Sequence, residues 1–490
     1  MPDATYDSIQ GVSGCLEGTR QEVIGKIIEW IDGSSDRPVC WLNGAAGSGK
    51  SAISRTIAKL CEGSNRLGAS FFFFRGAGRR SMITHFISTL AYNLAFSVPD
   101  TRPCIENVLR QNRYLDNRSL ETQFQKLIIE PMQSVTQPRR PMVIVIDALD
   151  ECDDRQMIAE FVGIAAHAFL DHQLPLRFFF TSRVEEHIRS MFATSPALDV
   201  TYCLSLHDFN AGSDIHTFFR SRFATIYQQK HRLMRHVSLP WPSESDLDEL
   251  VQKSSESFIF AFTLVNFVND GSDLPHRKLQ AALQTHSGLD PLYTQVLQSA
   301  PRGRYFTRVL ETIITIAQPV SIMDIACLLQ VEGGDVIHAL QGVQSIIMVP
   351  EDDEQPVRLF HTSLRDFLTS RIRSGSFFIN PVTSHLSIAA DCLAVMVTHR
   401  GDIIYDIEML EYAARSWCHH LLSAIKMGDG SDLLFSQDSA FGICTLTDFV
   451  SGAFDSWINS ILLQGEIYKI SQTLKLVLEV SILCLWCKII

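Results

Sequence analysis

Residues 39–60 read VCWLNGAAGSGKSAISRTIAKL, and this stretch decides the fold of the chain around it. It begins with an apolar run that is typical of a buried strand and continues into a helical pattern. The glycine-rich turn between them has the spacing G-x-x-x-x-G-K-[ST], set by Gly44, Gly49, Lys50 and Ser51. A strand, a turn of this composition and a helix together predict a loop that cradles phosphate groups.

Each part of this phosphate loop has an expected contribution. Glycines let the backbone turn tightly with its N–H groups pointing inward, and the start of the helix adds partial positive charge. Lys50 is expected to reach the β- and γ-phosphates of a nucleotide, and the Ser51 hydroxyl to bind Mg²⁺. The predicted cofactor-binding residues here are Gly44, Ala45, Ala46, Gly47, Ser48, Gly49, Lys50, Ser51 and Ala52. The alternative interpretation is a glycine-rich turn without a ligand.

Further apolar runs alternate with helical patterns after the phosphate loop. Buried strands are predicted at residues 67–74, 142–146, 176–181 and 201–206. This alternation favours a parallel sheet with helices on both faces, in which ligands bind at the carboxyl ends of the strands. The predicted fold class is therefore an α/β P-loop NTPase of the additional-strand type. A helical domain, a winged helix and a C-terminal helical segment are expected to follow it.

An acidic block, DALDECDD, follows the predicted strand at residues 142–146. Asp147 stands at the end of that strand, where a carboxylate can hold Mg²⁺ directly or through water, so Ser51 and Asp147 are the predicted metal ligands. Glu151, or else Asp150, is placed to polarise an attacking water molecule. The alternative is a solvated acidic turn.

The strand predicted at residues 176–181 ends in Ser182 and Arg183. A guanidinium at this edge of the sheet can report the γ-phosphate as a charge-assisted bidentate donor, although a surface arginine is the alternative. The predicted catalytic residues are Lys50, Asp150, Glu151 and Arg183. The basic loop at residues 75–80, RGAGRR, either steers anions towards the site or is solvated, and solvation is favoured.

The pattern of apolar residues divides the chain into five segments. Residues 305–368 show three helical patterns and then two short strands around the acidic turn PEDDEQP, which is the order of a winged helix. The predicted segments are a leader helix at 1–37, the P-loop domain at 38–210, a helical domain at 211–302, the winged helix at 303–375 and a C-terminal helical segment at 376–490. No internal repeat is detected.

The composition is that of an ordinary globular chain, with 46% hydrophobic and 20% charged residues. A net charge of −12 argues against nucleic acid or an anionic membrane as the main partner, although a local basic patch could bind either. The acidic turn of the winged helix opposes DNA binding in the same way, so no nucleic-acid partner is expected. No signal peptide or transmembrane segment is predicted, and 12 cysteines without a disulfide-like rhythm favour the cytoplasm.

His361 lies in LFHTSLRDFL, within the winged-helix pattern. On the residues alone, a surface histidine or one with local hydrogen-bond partners is favoured. A histidine carried on a neighbouring domain could instead reach the β-phosphate of ADP and hold two domains together. The other histidines and the cysteines show no zinc-ligand spacing, so no structural zinc is predicted.

Several stretches together resemble the NACHT family of signal-transducing (STAND) P-loop ATPases, and most closely the fungal NOD-like receptors with a nephrocystin-like nucleotide domain. They are WLNGAAGSGKSAISRTIA, ASFFFFRG, VIVIDALDECDD, LRFFFTSR, FIFAFTLVNFV, FHTSLRDFL and YAARSWCHHL. The resemblance implies domains that close around ADP and reopen on exchange for ATP, with Mg²⁺, and with His361 sensing ADP. It also implies a role in fungal innate immunity and assembly with protein partners or further copies of the chain on activation.

The chain departs from this family in three ways. The G-x-P motif of many relatives is missing, and Glu256 and Ser257 stand near its expected place. We also expect no N-terminal effector domain and no C-terminal sensor repeats. The leading hypothesis is an ATP/ADP-dependent switch with slow Mg²⁺-dependent ATP hydrolysis. The alternative is a non-catalytic, truncated receptor that holds ADP and acts as a scaffold or regulator of fuller relatives.

Overall fold

The computed structural model describes most of the chain and divides it into two compact units, Met1–Leu292 and Tyr293–Ile490. The described residues are 1, 4–7, 13–33, 36–75, 78–112, 115, 118–135, 140–172, 174–284, 286–398, 408–427, 449–455 and 457–458. The first unit holds a parallel sheet with its helices. The second holds helices and a short antiparallel ribbon.

The first unit is built on a five-stranded parallel sheet with the order β2-β3-β4-β1-β5. The strands are β1 Val39–Asn43, β2 Leu67–Phe72, β3 Met142–Asp147, β4 Leu176–Ser182 and β5 Thr201–Ser205. In this order β4 separates the strand that leads into the phosphate loop from the strand that ends in the acidic block. That separation confirms the predicted α/β P-loop fold of the additional-strand type.

Helices cover the sheet and continue beyond it in the first unit. They are α1 Gln21–Asp32, α2 Lys50–Gly63, α3 Phe86–Ser97, α4 Arg102–Gln111, α5 Leu120–Phe124, α6 Glu130–Gln133, α7 Arg155–Asp171, α8 Glu186–Phe192, α9 Ala197–Val200, α10 Gly212–Gln229, α11 Glu244–Ser254, α12 Phe258–Asn269 and α13 Pro275–Gln284. Local caps fix several starts. The Asp154 carboxylate accepts the Met157 N–H at 2.9 Å ahead of α7, and Ser243 forms a capping box with Asp246 ahead of α11.

The sheet has a separate apolar core on each face because strand side chains alternate in direction. Val39 and Trp41 of β1 join one core, whereas Cys40 and Leu42 join the other. The first core is rich in phenylalanine, and the rings of Phe86 and Phe161 meet edge to face at 4.8 Å. The sheet is therefore buried on both sides, which explains why its strands read as continuous apolar runs.

Helix α12 begins directly after a sharp turn. Ser255 and Glu256, ahead of it, have positive φ angles of 46° and 63°. Two successive left-handed residues cannot continue a right-handed helix. Ser257 then caps the new helix by accepting the Phe260 N–H at 3.4 Å. The segment where the relatives place G-x-P is thus a sharp turn that aims the start of α12.

The second unit shows the predicted order of three helices followed by a ribbon. Its elements are α15 Phe306–Thr315, α16 Ile322–Leu329, α17 Gly333–Leu340, β6 Ile347–Met348, β7 Arg358–Leu359, α18 Ser363–Leu368, α19 Arg371–Ser374, α20 Pro381–Thr398 and α21 Glu408–Met427. Helix α14, Leu289–Ser299, spans the boundary between the units. The antiparallel strands β6 and β7 have two residues each, so the ribbon is minimal.

Helix α20 is the one helix in the described residues that is long and apolar enough, by composition alone, to cross a membrane. It packs against α15, α16 and α21 and buries apolar side chains that include Leu386, Ile388 and Leu393. A helix in the core of a globular unit has the same length and composition, and these contacts account for its apolar residues.

A buried chain of polar side chains joins α20 to α21. The Nδ1 atoms of His385 and His420 lie 2.8 Å apart, and the Tyr412 hydroxyl lies 2.6 Å from His420 Nε2. The Tyr412 oxygen also accepts the Ala317 N–H at 3.1 Å. Burial lowers the pKa of His385 to about 4 and holds the pKa of His420 well below its ordinary value. Both rings are therefore neutral in the folded unit at physiological pH.

Candidate functional site

The phosphate loop joins the end of β1 to the start of α2. Gly49 precedes the helix with a φ of 93°, a left-handed conformation that favours glycine. The buried Lys50 begins the helix, and its ammonium donates hydrogen bonds of 2.8 Å to the backbone oxygens of Gly44 and Ala45. The amides of the first helical turn have no partner within the helix. The loop thus combines a buried cation with backbone N–H groups that have no partner within the helix.

Lys50 also lies in the field of the predicted catalytic residues. Burial lowers its pKa, and the nearby carboxylates of Asp150 and Asp147 oppose that shift. Arg183 and Glu151 act on Lys50 more weakly. The structure therefore brings all four predicted catalytic residues and the predicted metal ligand Asp147 together at the carboxyl ends of β1, β3 and β4.

Asp147 is held in one orientation by two buried hydroxyl groups. Its Oδ1 atom accepts hydrogen bonds from Ser54 at 2.7 Å and from Thr181 at 2.5 Å. The Thr181 oxygen in turn accepts the Ala148 N–H at 3.0 Å, at a residue whose φ is 58°. The two hydroxyl contacts fix the orientation of the Asp147 carboxylate through Oδ1. Neither of them uses Oδ2. Sequence patterns missed both hydroxyls, because neither belongs to the phosphate-loop spacing.

Asp150 is engaged by Arg183 through both carboxylate oxygens. Its Oδ1 accepts the Arg183 N–H at 2.9 Å, and its Oδ2 lies 3.2 Å from Arg183 Nε. Asp150 is buried, with 3% of its surface exposed. A carboxylate committed to a guanidinium in this way is a poor proton acceptor. Of the two alternatives for the general base, the geometry favours Glu151, and Asp150 acts by holding Arg183.

Glu151 has the properties of a general base. Burial raises its pKa to about 7, the neighbouring charge of Asp150 adds to the rise, and a hydrogen bond from the backbone of Arg75 opposes it. The Arg75 N–H donates to Glu151 Oε2 at 3.1 Å. A carboxylate whose pKa lies near the working pH accepts a proton from water more readily than an ordinary glutamate.

The basic loop is less solvated than the sequence favours. The guanidinium of Arg80 is buried and donates to the Phe72 carbonyl oxygen, with an Nη2–O distance of 3.1 Å. The Arg75 guanidinium donates to the backbone oxygen of Asp150 at 2.5 Å. Solvation was therefore the wrong expectation for these two residues. Arg75 thus braces the acidic block, and Arg80 satisfies a backbone oxygen at the end of β2.

The phosphate loop and α12 make a contact that belongs to no sequence motif. The Ile259 N–H donates to the Gly47 backbone oxygen at 3.1 Å. Gly47 has a φ of 73°, and a Cβ atom there would lie 2.1 Å from Ile259 Cγ2. Position 47 is unspecified in the G-x-x-x-x-G-K spacing, so its glycine is required by this contact and by the backbone conformation. The phosphate loop is thus part of the docking surface of α12.

Arg20, just ahead of α1, also contacts both the phosphate loop and α12. It is 4% exposed, and its Nη2 atom donates to the Ser48 backbone oxygen at 2.7 Å. The guanidinium carbon lies 4.8 Å from the centre of the Phe258 ring, and Nε lies 4.0 Å from Asp214. One arginine therefore contacts the phosphate loop, α10 and α12. A basic residue ahead of the first strand gave no sequence signal for this role.

The side chains at the strand ends fit Mg²⁺ in the presence of phosphate. The Ser51 hydroxyl is half-buried at the start of α2, and Asp147 offers a fixed carboxylate. Both are hard oxygen donors, which suit Mg²⁺ when phosphate oxygens and water complete its shell. In the described part of the chain, no group of three or more His, Cys, Asp or Glu side chains could hold a metal ion. Ser51 and Asp147 would thus share Mg²⁺ with a bound nucleotide, and the described residues offer no independent metal centre.

His361 belongs to the second unit and lies just ahead of α18. Its Nδ1 atom accepts the Ser363 N–H at 3.0 Å and lies 2.7 Å from Ser363 Oγ. Accepting at Nδ1 places the proton of the neutral ring on Nε2. The ring therefore helps to start α18, as the local alternative predicts. Its contact with ADP stays a prediction.

The sheet order, the phosphate loop, the acidic strand end and the arginine that follows β4 define an additional-strand P-loop NTPase. Residues 18–183 match the family described as Nephrocystin 3, N-terminal. Over 358 residues the chain is 23% identical to the vegetative incompatibility protein HET-E-1 of Podospora anserina. That match covers 69% of this chain and 25% of HET-E-1, so the chain spans about a quarter of its curated relative. Within the P-loop class, these matches support the predicted resemblance to the NACHT/STAND ATPases.

Solved structures with some similarity include the STAND protein PH0952 of Pyrococcus horikoshii, which has a tetratricopeptide repeat sensor. Its TM-score is 0.44 at 12% identity, over 92% of this chain and 58% of that one. The Aeropyrum pernix ORC1 protein in complex with DNA has a TM-score of 0.32 at 12% identity, over 70% of this chain and 88% of that one. Drosophila ORC bound to DNA has a TM-score of 0.33 at 12% identity, over 72% and 88%. Scores this low carry no argument about the action of this chain.

Proposed function

We propose that the protein is an ATP/ADP-dependent switch with slow, Mg²⁺-dependent ATP hydrolysis. The observation that carries the proposal is the position of Lys50, buried in the phosphate loop and facing the charged residues at the ends of β3 and β4. A loop that only turned the chain would not need a buried ammonium beside three carboxylates and a guanidinium. Pairing with phosphate oxygens would offset the free-energy cost of burying that ammonium.

The proposed chemistry assigns one task to each side chain. Lys50 and the loop amides hold the phosphates, and Ser51 and Asp147 would hold Mg²⁺, which neutralises charge on the phosphate oxygens. Glu151 takes a proton from the attacking water, and Arg183, held by Asp150, donates to the γ-phosphate. Hydrolysis is expected to be slow, because its proposed use is to reset a conformation.

The proposed switch uses the contact between the phosphate loop and α12. The hydrogen bond from Ile259 to Gly47 and the contacts of Arg20 link the loop backbone to the helices behind the sheet. A nucleotide that adjusts the loop backbone would change these contacts, and ATP and ADP would then favour different arrangements. His361 is proposed to sense ADP from the second unit, as the NACHT resemblance implies.

The biological setting is also a proposal. Similarity to a vegetative incompatibility protein supports a signalling role in fungal innate immunity, with a cytoplasmic location and with protein partners or further copies of the chain on activation. The acidic net charge of −12 supports a protein partner over nucleic acid.

Substitution of Lys50 tests nucleotide binding. We expect denatured wild-type protein to release an adenine nucleotide, and Lys50→Ala to lower nucleotide affinity by at least about tenfold, because a charge-assisted bond worth ~1.5–3 kcal/mol is lost. Binding of a fluorescent ATP analogue and chromatography of the released nucleotide measure both effects. Lys59→Ala, at an exposed position of the same helix, is the matched control. If no nucleotide is released and Lys50→Ala binds as wild type does, the proposal is wrong.

A further inference from the structure

Two segments of the second unit carry four exposed arginines, and one of these segments also carries an exposed isoleucine. Arg302 and Arg304 lie in the loop ahead of α15, and Arg371 and Arg373 lie in α19. All four are exposed. Ile372, between the latter two, is 99% exposed. We call these five residues the arginine patch.

Aromatic rings beneath the arginine patch hold its two segments together. The guanidinium carbon of Arg302 lies 4.9 Å from the centre of the Phe377 ring, and that of Arg371 lies 5.8 Å from the centre of the next ring, Phe378. These two phenylalanines are neighbours in sequence and closely follow α19. The loop ahead of α15 therefore lies near α19. Stacking on ring faces orders the guanidinium groups and leaves their charges and in-plane N–H donors available.

Three arginines of the patch have no carboxylate partner among the described residues. Among the described residues of this unit, Arg308 and Arg415 form ion pairs with carboxylates, and no such pair involves Arg302, Arg304 or Arg371. The whole chain carries a net charge of −12, so three exposed arginines without carboxylate partners run against its average composition. Such a local excess selects an anionic partner.

The exposed isoleucine distinguishes between the anionic partners. A fully hydrated β-branched side chain gains free energy on entering an apolar layer, and a nucleic-acid backbone offers none. Nucleic-acid recognition commonly uses free aromatic faces for stacking or a helix that enters a groove. Here guanidinium groups already occupy the ring faces, and α19 has only 4 residues. An apolar tip flanked by arginines instead fits the interface of a membrane with anionic headgroups.

We propose that the arginine patch docks the protein onto an anionic membrane surface. The arginines pair with lipid phosphates and carboxylates, and Ile372 enters the outer edge of the acyl layer. This docking is peripheral and uses no membrane-spanning helix. It does not depend on the proposed nucleotide switch, because every residue of the patch lies in the second unit.

Sedimentation with lipid vesicles tests the proposal on the full chain. We expect binding to vesicles of phosphatidylcholine mixed with phosphatidylserine, and little binding to phosphatidylcholine alone. Arg302→Gln with Arg371→Gln should lower partitioning about 25-fold at low salt, since each basic residue near such a surface contributes about fivefold. Ile372→Ser should lower partitioning about tenfold through lost apolar burial.

The matched control removes the same charge elsewhere. Arg102→Gln with Arg110→Gln changes two exposed arginines of α4 in the first unit, and vesicle binding should stay within about twofold of wild type. The proposal is overturned if wild-type protein does not prefer the anionic vesicles, or if the patch variant and the control lose binding equally. It is also overturned if Ile372→Ser has no effect, or if the patch binds an oligonucleotide and not the vesicles. Thermal unfolding confirms that each variant is folded.

Discussion

At the scale of single residues, the site depends on which hydrogen-bond and ion-pair partners each carboxylate has. Asp147 is fixed by two hydroxyls and Asp150 by Arg183, whereas Glu151 accepts a backbone N–H and keeps a raised pKa. These three carboxylates of the acidic block therefore differ in their partners, and we expect them to differ in their tasks. The sequence shows that the block is acidic, and the hydrogen bonds favour Glu151 as the member that would accept a proton.

The pKa of Glu151 sets the expected pH dependence of ATP hydrolysis. A general base acts in its ionised form, so the ATPase rate should rise with pH through about 7 and level off above it. Glu151→Gln should lower the rate about 10²- to 10⁴-fold and keep nucleotide binding. Phosphate release measured across pH values checks both. Glu160→Gln, an exposed change on α7, should leave the profile unaltered. A background rate that is equal in Glu151→Gln and wild type would leave only the scaffold alternative.

At the scale of elements, the first turn of α12 and the phosphate loop form one junction. The turn at Ser255 and Glu256 directs α12 so that the Ile259 N–H reaches the Gly47 oxygen. No residue of this junction is adjacent in sequence to its partner. Sequence patterns therefore find the loop and the helix separately and cannot find their contact.

Gly47→Ala tests this junction. The added methyl group would lie 2.1 Å from Ile259 Cγ2, and the φ of 73° is strained for alanine, so we expect a loss of about 1–3 kcal/mol in the free energy of unfolding. Urea unfolding measures it, and nucleotide affinity should fall as well. Gly25→Ala is the control, because it lies in the interior of α1 with nothing within 4 Å and should stabilise the chain by ~0.5–1 kcal/mol. Equal stabilities for the two variants would contradict the proposed junction.

The buried histidines predict acid sensitivity of α20 and α21. His385 has a folded-state pKa of about 4, below its unfolded value of 6.5, so the unfolded chain binds more protons between these pH values. The free energy of unfolding should therefore be fully retained above pH ~6.5 and fall by about 3 kcal/mol as the pH decreases to ~4. His385→Gln should flatten this dependence in urea unfolding. The exposed His167→Gln should not, and a slope that survived in His385→Gln would assign it to other groups.

At the scale of the whole molecule, the sequence predicted more of the fold than of the site. Buried strands can be recognised in the sequence because both faces of the sheet are covered. This burial makes β1 and β3 continuous apolar runs. The phosphate loop and the acidic block are local motifs and were found for that reason. Thr181, Arg20 and Ile259 act through contacts between distant segments, and a single sequence does not record such contacts.

Nucleotide exchange is expected to change the behaviour of the whole chain. Since only ATP brings a γ-phosphate to Arg183, ATP and ADP should stabilise different arrangements, and the ATP form should assemble. Sedimentation velocity with each nucleotide and Mg²⁺ measures the mass in solution. Lys50→Ala should give one mass in both conditions. An unchanged mass for the wild type would contradict assembly on exchange.

The contact between Gly47 and Ile259 also bears on recombination between related genes. A chimera joined between β5 and α10 would keep each element intact and still combine a phosphate loop with a foreign α12. Where the donor carries a larger residue at position 47, or a different shape at position 259, the graft would meet a steric conflict that no alignment of the P-loop motif reveals. Exchange of helical regions should therefore succeed when the residues at positions 47 and 259 come from the same parent protein.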